Sequence, residues 1–317
     1  MKNNKKIVCL GGGIGTVNLI KGLRNYSKNI VVVVSMADEG GSSGRLRRMY
    51  DIFPPGDLVS CMAGVSDDST LSELLTYRFP GDRYSNDEAL AGHKLGNLIM
   101  VAMRDIVGNF SDAIDLFQKV FKINGTFLPA TVEPVYISAQ TIEGKTILGE
   151  ENIDLGKYTG ERILSRVFLH PENAKTSQEV IDAIISADVI LVGPGDLYTT
   201  LLPVLIVPQI KNAILKSKAM KFFVINTTNK PFETKGYDVI DYISAIKKHI
   251  GNFLFDKVFL NTNYNITIPD EYNYSYVLLK NESDCDKFNI IGKDLVDENF
   301  PLYHNSQKLA KAIIEEL

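Results

Sequence analysis

Five short apolar segments recur along the 317-residue chain, and a glycine-rich or polar segment follows each of them. One of them, Ile30–Val34, is five consecutive β-branched residues, which is typical of a strand covered on both faces. The other four are 7–10, 188–192, 221–225 and 257–260. Because helical patterns lie between these segments, they predict a parallel sheet with helices on both faces. We therefore predict a three-layer, Rossmann-like α/β fold that binds ligands at the carboxyl ends of its strands.

Two regions of different character separate the second apolar segment from the third. Residues 57–121 carry apolar side chains at three- and four-residue spacing, which predicts helices. Residues 126–170 predict β-strands, with a hairpin turn at Glu143-Gly144. We expect one domain over residues 1–317, with these two regions as helical and β insertions on the core. A last helix is expected to begin near Asn305 or Ser306.

Composition limits the class of protein. A hydrophobic content of 45% allows a large core, and a net charge of -4 provides no general attraction to nucleic acid or to an anionic membrane. Cys9, Cys61 and Cys285 lie far apart without CxxC spacing, which fits a reducing cytosol. No stretch approaches the roughly 18 apolar residues of a membrane-spanning helix. We expect a cytoplasmic protein with no transmembrane segment and no nucleic-acid partner; a homo-oligomer is compatible with these features.

The first apolar segment runs into the glycine turn GGGIG, which opens a helix. Such a turn directs backbone N–H groups and the positive helix end toward an anion. Thr16 stands where the dinucleotide fingerprint requires a third glycine or alanine, and no Walker A motif follows. The turn serves either phosphate contact or close packing alone, and we favour phosphate. The residues assigned to the ligand are Gly11, Gly12, Gly13, Gly15 and Thr16.

The segment ADEGGSSGRLRRMYDIFPPGD, residues 37–57, reads as a loop dense in polar residues and glycines. Asp38 lies where a ribose-binding acid is often found, and Asp38, Glu39 and Asp57 form a possible Mg²⁺ site. In the alternative, the first two acids face solvent and Asp57 caps the next helix. The glycines permit close approach, the serines offer hydroxyls, and the arginine suits phosphate. The residues assigned to the ligand are Asp38, Gly40, Gly41, Ser42, Ser43, Gly44 and Arg45.

Three later segments carry further polar side chains. GHKLGN places His93 at a helix start, where it serves as a ligand donor, an acid/base or a structural group. GPGD is a second glycine turn after a strand, and NTTN ends another strand. The residues assigned from these segments are His93, Asn97, Gly193, Pro194, Gly195, Asp196, Tyr198, Thr199, Asn226 and Thr227. Spacing alone identifies no catalytic set; the candidates are Asp38, Glu39, Asp57 and His93.

Together these motifs resemble the YvcK/CofD-like family, also called gluconeogenesis factor or UPF0052. The motifs that carry the resemblance, in order, are GGGIGTVNLIKGL, ADEGGSSGRLR, PPGD, GHKLGNLI, GPGDLYTTLLPVLIVP and NTTNKPFET. The resemblance implies a Rossmann-like core whose glycine turns line one nucleotide cleft. The YvcK branch implies a cytoplasmic binder of UDP-sugars such as UDP-N-acetylglucosamine, linked to cell shape, envelope synthesis and carbon metabolism. The CofD branch implies 2-phospho-L-lactate transferases that use Mg²⁺.

The chain departs from the family pattern at several positions. The family's second Asp after the second strand is here Glu39, its Ile-Arg-Asn after PPGD is here 58–60 (Leu-Val-Ser), and its Ser in GPGSLYT is Asp196. Phe232 and Tyr303 replace a usual Gly and Arg. We expect that the ligand either differs from the usual UDP-sugar or binds more weakly. The leading hypothesis is a nucleotide-sugar-binding regulatory protein, and the alternative is a CofD-like transferase. Thr16 disfavours a third possibility, an NAD-dependent oxidoreductase.

Overall fold

Strands and helices alternate along the chain, of which the computed structural model describes residues 4–84, 89–161 and 163–317. The strands are β1 Ile7–Gly11, β2 Ile30–Val34, β3 Thr126–Pro129, β4 Tyr136–Thr141, β5 Thr146–Leu148, β6 Leu164–His170, β7 Val189–Val192, β8 Met220–Val224, β9 Thr228–Asn229, β10 Lys257–Asn261, β11 Ser275–Tyr276 and β12 Ile290–Lys293. The helices are α1 Gly13–Leu23, α2 Gly41–Tyr50, α3 Gly56–Gly64, α4 Ser69–Thr76, α5 Leu95–Val107, α6 Phe110–Val120, α7 Glu150–Asp154, α8 Gln178–Ile185, α9 Leu202–Leu205, α10 Pro208–Lys216, α11 Val239–Ile250, α12 Asp284–Phe288 and α13 Ser306–Glu315. A π-helical turn, Leu197–Leu201, leads into α9, and a short 3₁₀ helix spans Asp270–Tyr272.

Seven of the strands in these described ranges form one parallel sheet, in the order β12-β10-β8-β7-β1-β2-β3. All residues of β1 and β2 are buried, as the apolar runs predicted. Helices flank the sheet: α1 packs against α3 and α13, and α8 packs against α10. The predicted three-layer α/β fold is confirmed. After β1 the chain builds outward through β2 and β3, then returns to β7 on the other side, so the strand order reverses between β1 and β7. Ligands of open α/β sheets bind at such a reversal.

The helices predicted from the sequence are present, and a further helix lies in a segment that was predicted to be a loop. Helices α5 and α6 lie where the apolar spacing predicted them, and Asn305 caps α13 as expected. Residues 41–50, which were expected to be part of a loop, are instead the helix α2. Leu46 of this helix is buried with Ile52 and Val101 in a small apolar cluster. Burial of Leu46 against α5 stabilises a helical conformation that the glycines alone would not favour.

The β-rich region is smaller than predicted. Its expected first strand, β3, pairs with β2 at the edge of the main sheet, so assigning residues from 126 onward to an insertion was wrong. Strands β5, β4 and β6 form a separate antiparallel sheet in that order. The predicted hairpin between β4 and β5 is confirmed: Gly144 has a φ of +84° there. The description of residues 1–317 as a single domain stays a prediction.

The described helices differ in length and apolar content, the two properties that a membrane span requires. No single one is long and apolar enough to cross a membrane. One bent pair, Leu197–Leu205 with Pro208–Lys216, meets the criterion by length and composition only.

Candidate functional site

A cavity of about 380 Å³ opens at the carboxyl ends of the central strands, beside the reversal of strand order. Many of the residues assigned from sequence line it together. These are Gly12, Gly13, Gly15, Asp38, Gly40, Gly41, Ser42, Ser43, Asp57, Asn97, Pro194, Gly195, Asp196, Thr199, Asn226 and Thr227. The strand-end segments, which were expected to meet at the carboxyl ends of the strands, therefore line one cavity.

Three helices begin at this cavity. The first turns of α1, α2 and α3 all contribute to its lining. Helices α1 and α2 start after Gly12 and Gly40, which carry no capping side chain. Because the first amides of a helix have no partner within the helix and carry partial positive charge, three such ends favour an anionic ligand.

The glycine turn packs against the GPG turn, which explains its unusual sequence. A Cβ atom on Gly15 would lie 2.7 Å from the carbonyl oxygen of Pro194. The Thr16 hydroxyl donates to the same oxygen at 3.3 Å and accepts from the Gly12 amide at 2.9 Å. Gly11, Thr16 and Gly193 lie outside the cavity lining. Thr16, which breaks the dinucleotide fingerprint, thus cross-links the two turns.

Two acidic side chains of the predicted metal site meet at the cavity, and the third does not. Asp38 accepts a hydrogen bond from the Gly40 amide at 2.9 Å, and burial of its carboxyl raises its pKa. Burial, and then the charge of Asp38, raises the pKa of Asp57 to about 7. Glu39 turns away and accepts from the amide of Glu150 at 2.8 Å. Carboxylate oxygens are the ligands that Mg²⁺ prefers, and Asp38 and Asp57 are the two predicted ligands that line the cavity. The magnesium site itself stays a prediction.

Cationic side chains line the same wall, and sequence reasoning did not assign them. Lys94 donates to the Ser60 hydroxyl at 2.6 Å, and Arg78 donates to the Ser42 hydroxyl at 3.3 Å. Arg83 also lines the cavity. Burial, and then Arg78, lowers the pKa of Lys94, while Asp57 and Asp38 oppose that shift. Lys94 stands within the GHKLGN motif, so a signal for it existed; the two arginines belong to no motif.

Besides Gly11, Thr16, Gly193 and Glu39, four further assigned residues lie outside the lining; they are Gly44, Arg45, His93 and Tyr198. The Arg45 guanidinium donates to the carbonyl of Ala91 at 2.9 Å and supports the scaffold. His93 is buried, and burial followed by the charge of Arg45 lowers its pKa to about 4. The Tyr198 hydroxyl donates to the carbonyl of Leu164 at 3.0 Å. These residues brace the site from behind instead of facing it.

An ion-paired cluster, defined by Lys230, Asp154, Asp196 and Glu233, contributes its first three residues to the cavity lining. The Lys230 ammonium contacts Asp154 and lies 2.7 Å from Asp196 and 3.7 Å from Glu233. Glu233 is fully buried and accepts from the Thr199 hydroxyl at 2.7 Å. Asp196, the departure that adds negative charge to the GPG turn, therefore has its counter-ion inside the cavity.

Some buried polar atoms of the lining have no hydrogen-bond partner among the described residues. They are Oδ1 of Asn97, Oγ1 of Thr227 and Nε2 of His304. Leaving a buried polar atom unpaired costs about 1–3 kcal/mol, so such atoms are usually satisfied by water or a ligand. Their position on the cavity wall is consistent with a polar ligand.

The structure also shows where other departures from the family pattern lie. Val59, in place of an arginine, is fully buried, whereas Ser60 receives the hydrogen bond from Lys94. Phe232 packs on Gly156, where a Cβ atom would lie 2.6 Å from the Phe232 ring. Tyr303 lines the cavity next to His304. Lys94 thus provides a cation near Ser60, although Val59, unlike the arginine of the family pattern, carries no charge.

The fold and the site define a three-layer α/β protein with a polar cavity at the switch point of its sheet. The sequence model described as 2-phospho-L-lactate transferase CofD matches residues 7–300, and the chain belongs to this family.

Several similar proteins are described as gluconeogenesis factors. The chain is 35% identical over 326 residues to a gluconeogenesis factor of Bacillus subtilis, with 100% of this chain and 99% of the relative covered. It is 36% identical over 322 residues to a putative gluconeogenesis factor of Clostridium acetobutylicum, with 98% and 69% covered. A crystal structure of a UPF0052 family member from Bacillus halodurans superposes with a TM-score of 0.88 at 34% identity, covering 99% of this chain and 100% of that one. The resemblance identified from the motifs is confirmed.

Proposed function

We propose that this protein binds a nucleotide-sugar of the UDP-N-acetylglucosamine type in the cavity. It acts as a cytoplasmic regulatory protein of the gluconeogenesis-factor type, linked to cell shape, envelope synthesis and carbon metabolism. The observation that carries the proposal is the convergence of three helix N-termini on one cavity. A diphosphate is the part of such a ligand that these amide-rich ends bind best.

The other walls support the remaining parts of the ligand. Lys94 and Arg78 lie beside the helix ends and favour negative charge. Asn226, Thr227 and His304 offer polar atoms for a sugar or a base. The cavity of about 380 Å³ lies within the range of about 300–1,000 Å³ that is usual for small-molecule sites.

Titration calorimetry tests this proposal directly. Folded protein is titrated with UDP-N-acetylglucosamine, UDP, N-acetylglucosamine 1-phosphate, GDP and NAD. We expect the intact UDP-sugar to bind most tightly, with weaker binding of its two halves. Absence of heat with UDP-N-acetylglucosamine at millimolar concentration, from a sample with a cooperative thermal transition, rejects the proposal.

A second candidate function is a Mg²⁺-dependent transferase of the CofD type, which the paired carboxylates Asp38 and Asp57 favour. Bound there, the ion would supply positive charge to neutralise a phosphate group. Lys94 would place a further positive charge near the same phosphate, a role that Arg45 does not take because it lies outside the cavity lining. The assay combines a deazaflavin acceptor with guanylyl-activated donors and Mg²⁺, and Asp57→Asn is the control. No product across the donors, from protein that binds them, excludes this function.

A further inference from the structure

We propose that Lys230 is a specificity-determining residue: its ammonium takes the place of a divalent cation among three carboxylates and lets this wall bind an anionic ligand group without a metal ion. The ligand part rests on the proposed function, whereas the metal part does not.

The three carboxylates are arranged as cation ligands. One oxygen each from Asp154, Asp196 and Glu233 lies within 4.8 Å of the other two. These residues come from α7, from the GPG turn and from the segment after β9, so the fold brings them together from distant parts of the chain. Three carboxylate oxygens at this separation are the kind of ligand set that a divalent cation holds in proteins.

Lys230 already fills that position. Its Nζ contacts Asp154, lies 2.7 Å from Asp196 and lies 3.7 Å from Glu233. Burial lowers the pKa of Lys230, but Asp196, Glu233 and Asp154 more than offset this and hold it well above its usual value. The ammonium is therefore charged at every physiological pH. The ammonium of Lys230 thus occupies the position among the three carboxylates that a metal ion would take.

The same ammonium is available to a ligand. Lys230 lines the cavity, and its side chain keeps 16% of its surface exposed. Within the described residues, Nζ makes hydrogen bonds to Asp154 and Asp196, and the third contact, to Glu233, is longer than a hydrogen bond. An ammonium has three N–H donors, so one remains for an acceptor atom of the ligand. One ammonium among three carboxylates leaves the cluster net negative, so Lys230 weakens the repulsion of a phosphate and does not abolish it. Without Lys230, this repulsion would be stronger.

The test removes the ammonium of Lys230 and measures whether a metal ion binds in its place. Lys230→Met removes the charge and keeps most of the length; Lys235→Met, an exposed lysine five residues further on, is the matched control. Mn²⁺ alone is titrated into each protein by calorimetry. We expect K230M to bind Mn²⁺ about tenfold or more tightly than the wild type and K235M do. The added affinity should disappear in K230M/D196S, which lacks one of the three ligands. An unchanged Mn²⁺ affinity in K230M, or a gain that survives in K230M/D196S, overturns the proposal.

Ligand binding provides a second readout. UDP-N-acetylglucosamine should bind K230M about tenfold more weakly than K235M, and Mn²⁺ should restore part of the loss. A wild type that binds no UDP-sugar removes the proposed function but leaves the Mn²⁺ result valid. If K230M does not fold, Asp196→Ser decides: with one carboxylate fewer around Lys230, UDP should bind about threefold more tightly at low salt. Unchanged or weaker binding of UDP to D196S contradicts the role of Lys230.

Discussion

The role of each residue in this site depends on the groups that its side chain contacts. Asp38 and Glu39 are neighbours in sequence, yet one carboxyl faces the cavity and the other bonds to α7. Thr16 and Gly15 both face the GPG turn, one as a hydrogen-bonding side chain and one through the absence of a side chain. Neighbouring residues thus differ in role because their side chains contact different groups. Single substitutions can therefore test each role on its own.

Gly15→Ala tests the contact between the two glycine turns. Its Cβ would lie 2.7 Å from a backbone oxygen of Pro194, so one turn must move. We expect a loss of about 1–3 kcal/mol in the free energy of unfolding, measured with urea. Gly40→Ala is the control, because its nearest neighbour lies at 3.3 Å and is a side-chain oxygen of Glu150. Equal stability of the two variants would show that the turns do not depend on this contact.

His304 makes stability depend on pH. Burial lowers its pKa to about 4, while in the unfolded chain it has its usual value of 6.5. Between these values the unfolded chain binds the proton that the folded protein does not, so stability is present above pH 6.5 and falls as the pH is lowered toward 4. Relative to pH 8, this residue should cost about 2 kcal/mol at pH 5.

His304→Gln checks this pH dependence by urea unfolding at pH 5 and pH 8. The difference in unfolding free energy between the two pH values should shrink by about 2 kcal/mol in the variant. His170→Gln, at an exposed position, provides the comparison. A variant that keeps the full wild-type difference would assign the pH dependence to other groups.

At the scale of elements, helix starts define the cavity. Helix α2 illustrates that a sequence motif does not by itself reveal which of its side chains face the cavity. A helical turn advances about 5.4 Å, so Ser42 and Ser43 stay at the cavity while Arg45 is carried behind it to Ala91. Lys94, immediately before α5, projects into the space instead. Gly40, Gly41 and the two serines of the motif line the cavity, whereas Gly44 and Arg45 do not, because the helix decides which residues face inward.

Lys94→Gln tests the cation at the start of α5. The variant keeps a hydrogen-bond donor near Ser60 and removes the charge, so UDP-N-acetylglucosamine should bind about tenfold more weakly in calorimetry. Lys119→Gln, at an exposed position of α6, is the matched control. If both variants bind as the wild type does, the anionic part of the ligand does not contact this wall.

For the whole molecule, the small antiparallel sheet and the main sheet are tied together at the cavity. Glu39, after β2, and Glu150, at the start of α7, exchange backbone-to-carboxylate hydrogen bonds of 2.8 and 3.2 Å. Lys230 makes a second connection through Asp154. The departure from the family's second Asp therefore has a structural reason: the longer Glu39 side chain reaches the first amide of α7.

Glu39→Ala removes the first of these connections. Because Glu39 satisfies an N-terminal amide of α7 in the manner of a helix cap, we expect a loss of about 1 kcal/mol in stability. Urea unfolding measures it, with Glu172→Ala, an exposed acid, as control. A loss no larger than that of the control would show that the two sheets are held together by other contacts.

The positions of the buried strands and the glycine turns were readable from the chain, because β-branched runs and glycine clusters are local properties. Five of the main-sheet strands and the turns at Gly12 and Gly195 were predicted in this way. The partners of charged side chains were not, because these depend on segments far apart in sequence. Asp196 meets Lys230 and Asp154 only after the strands have been ordered, and Arg78 reaches the cavity from a segment without a motif. Backbone conformation follows from nearby residues, whereas the charge of a cavity is a sum over every element that reaches it, and that sum exists only in the folded chain.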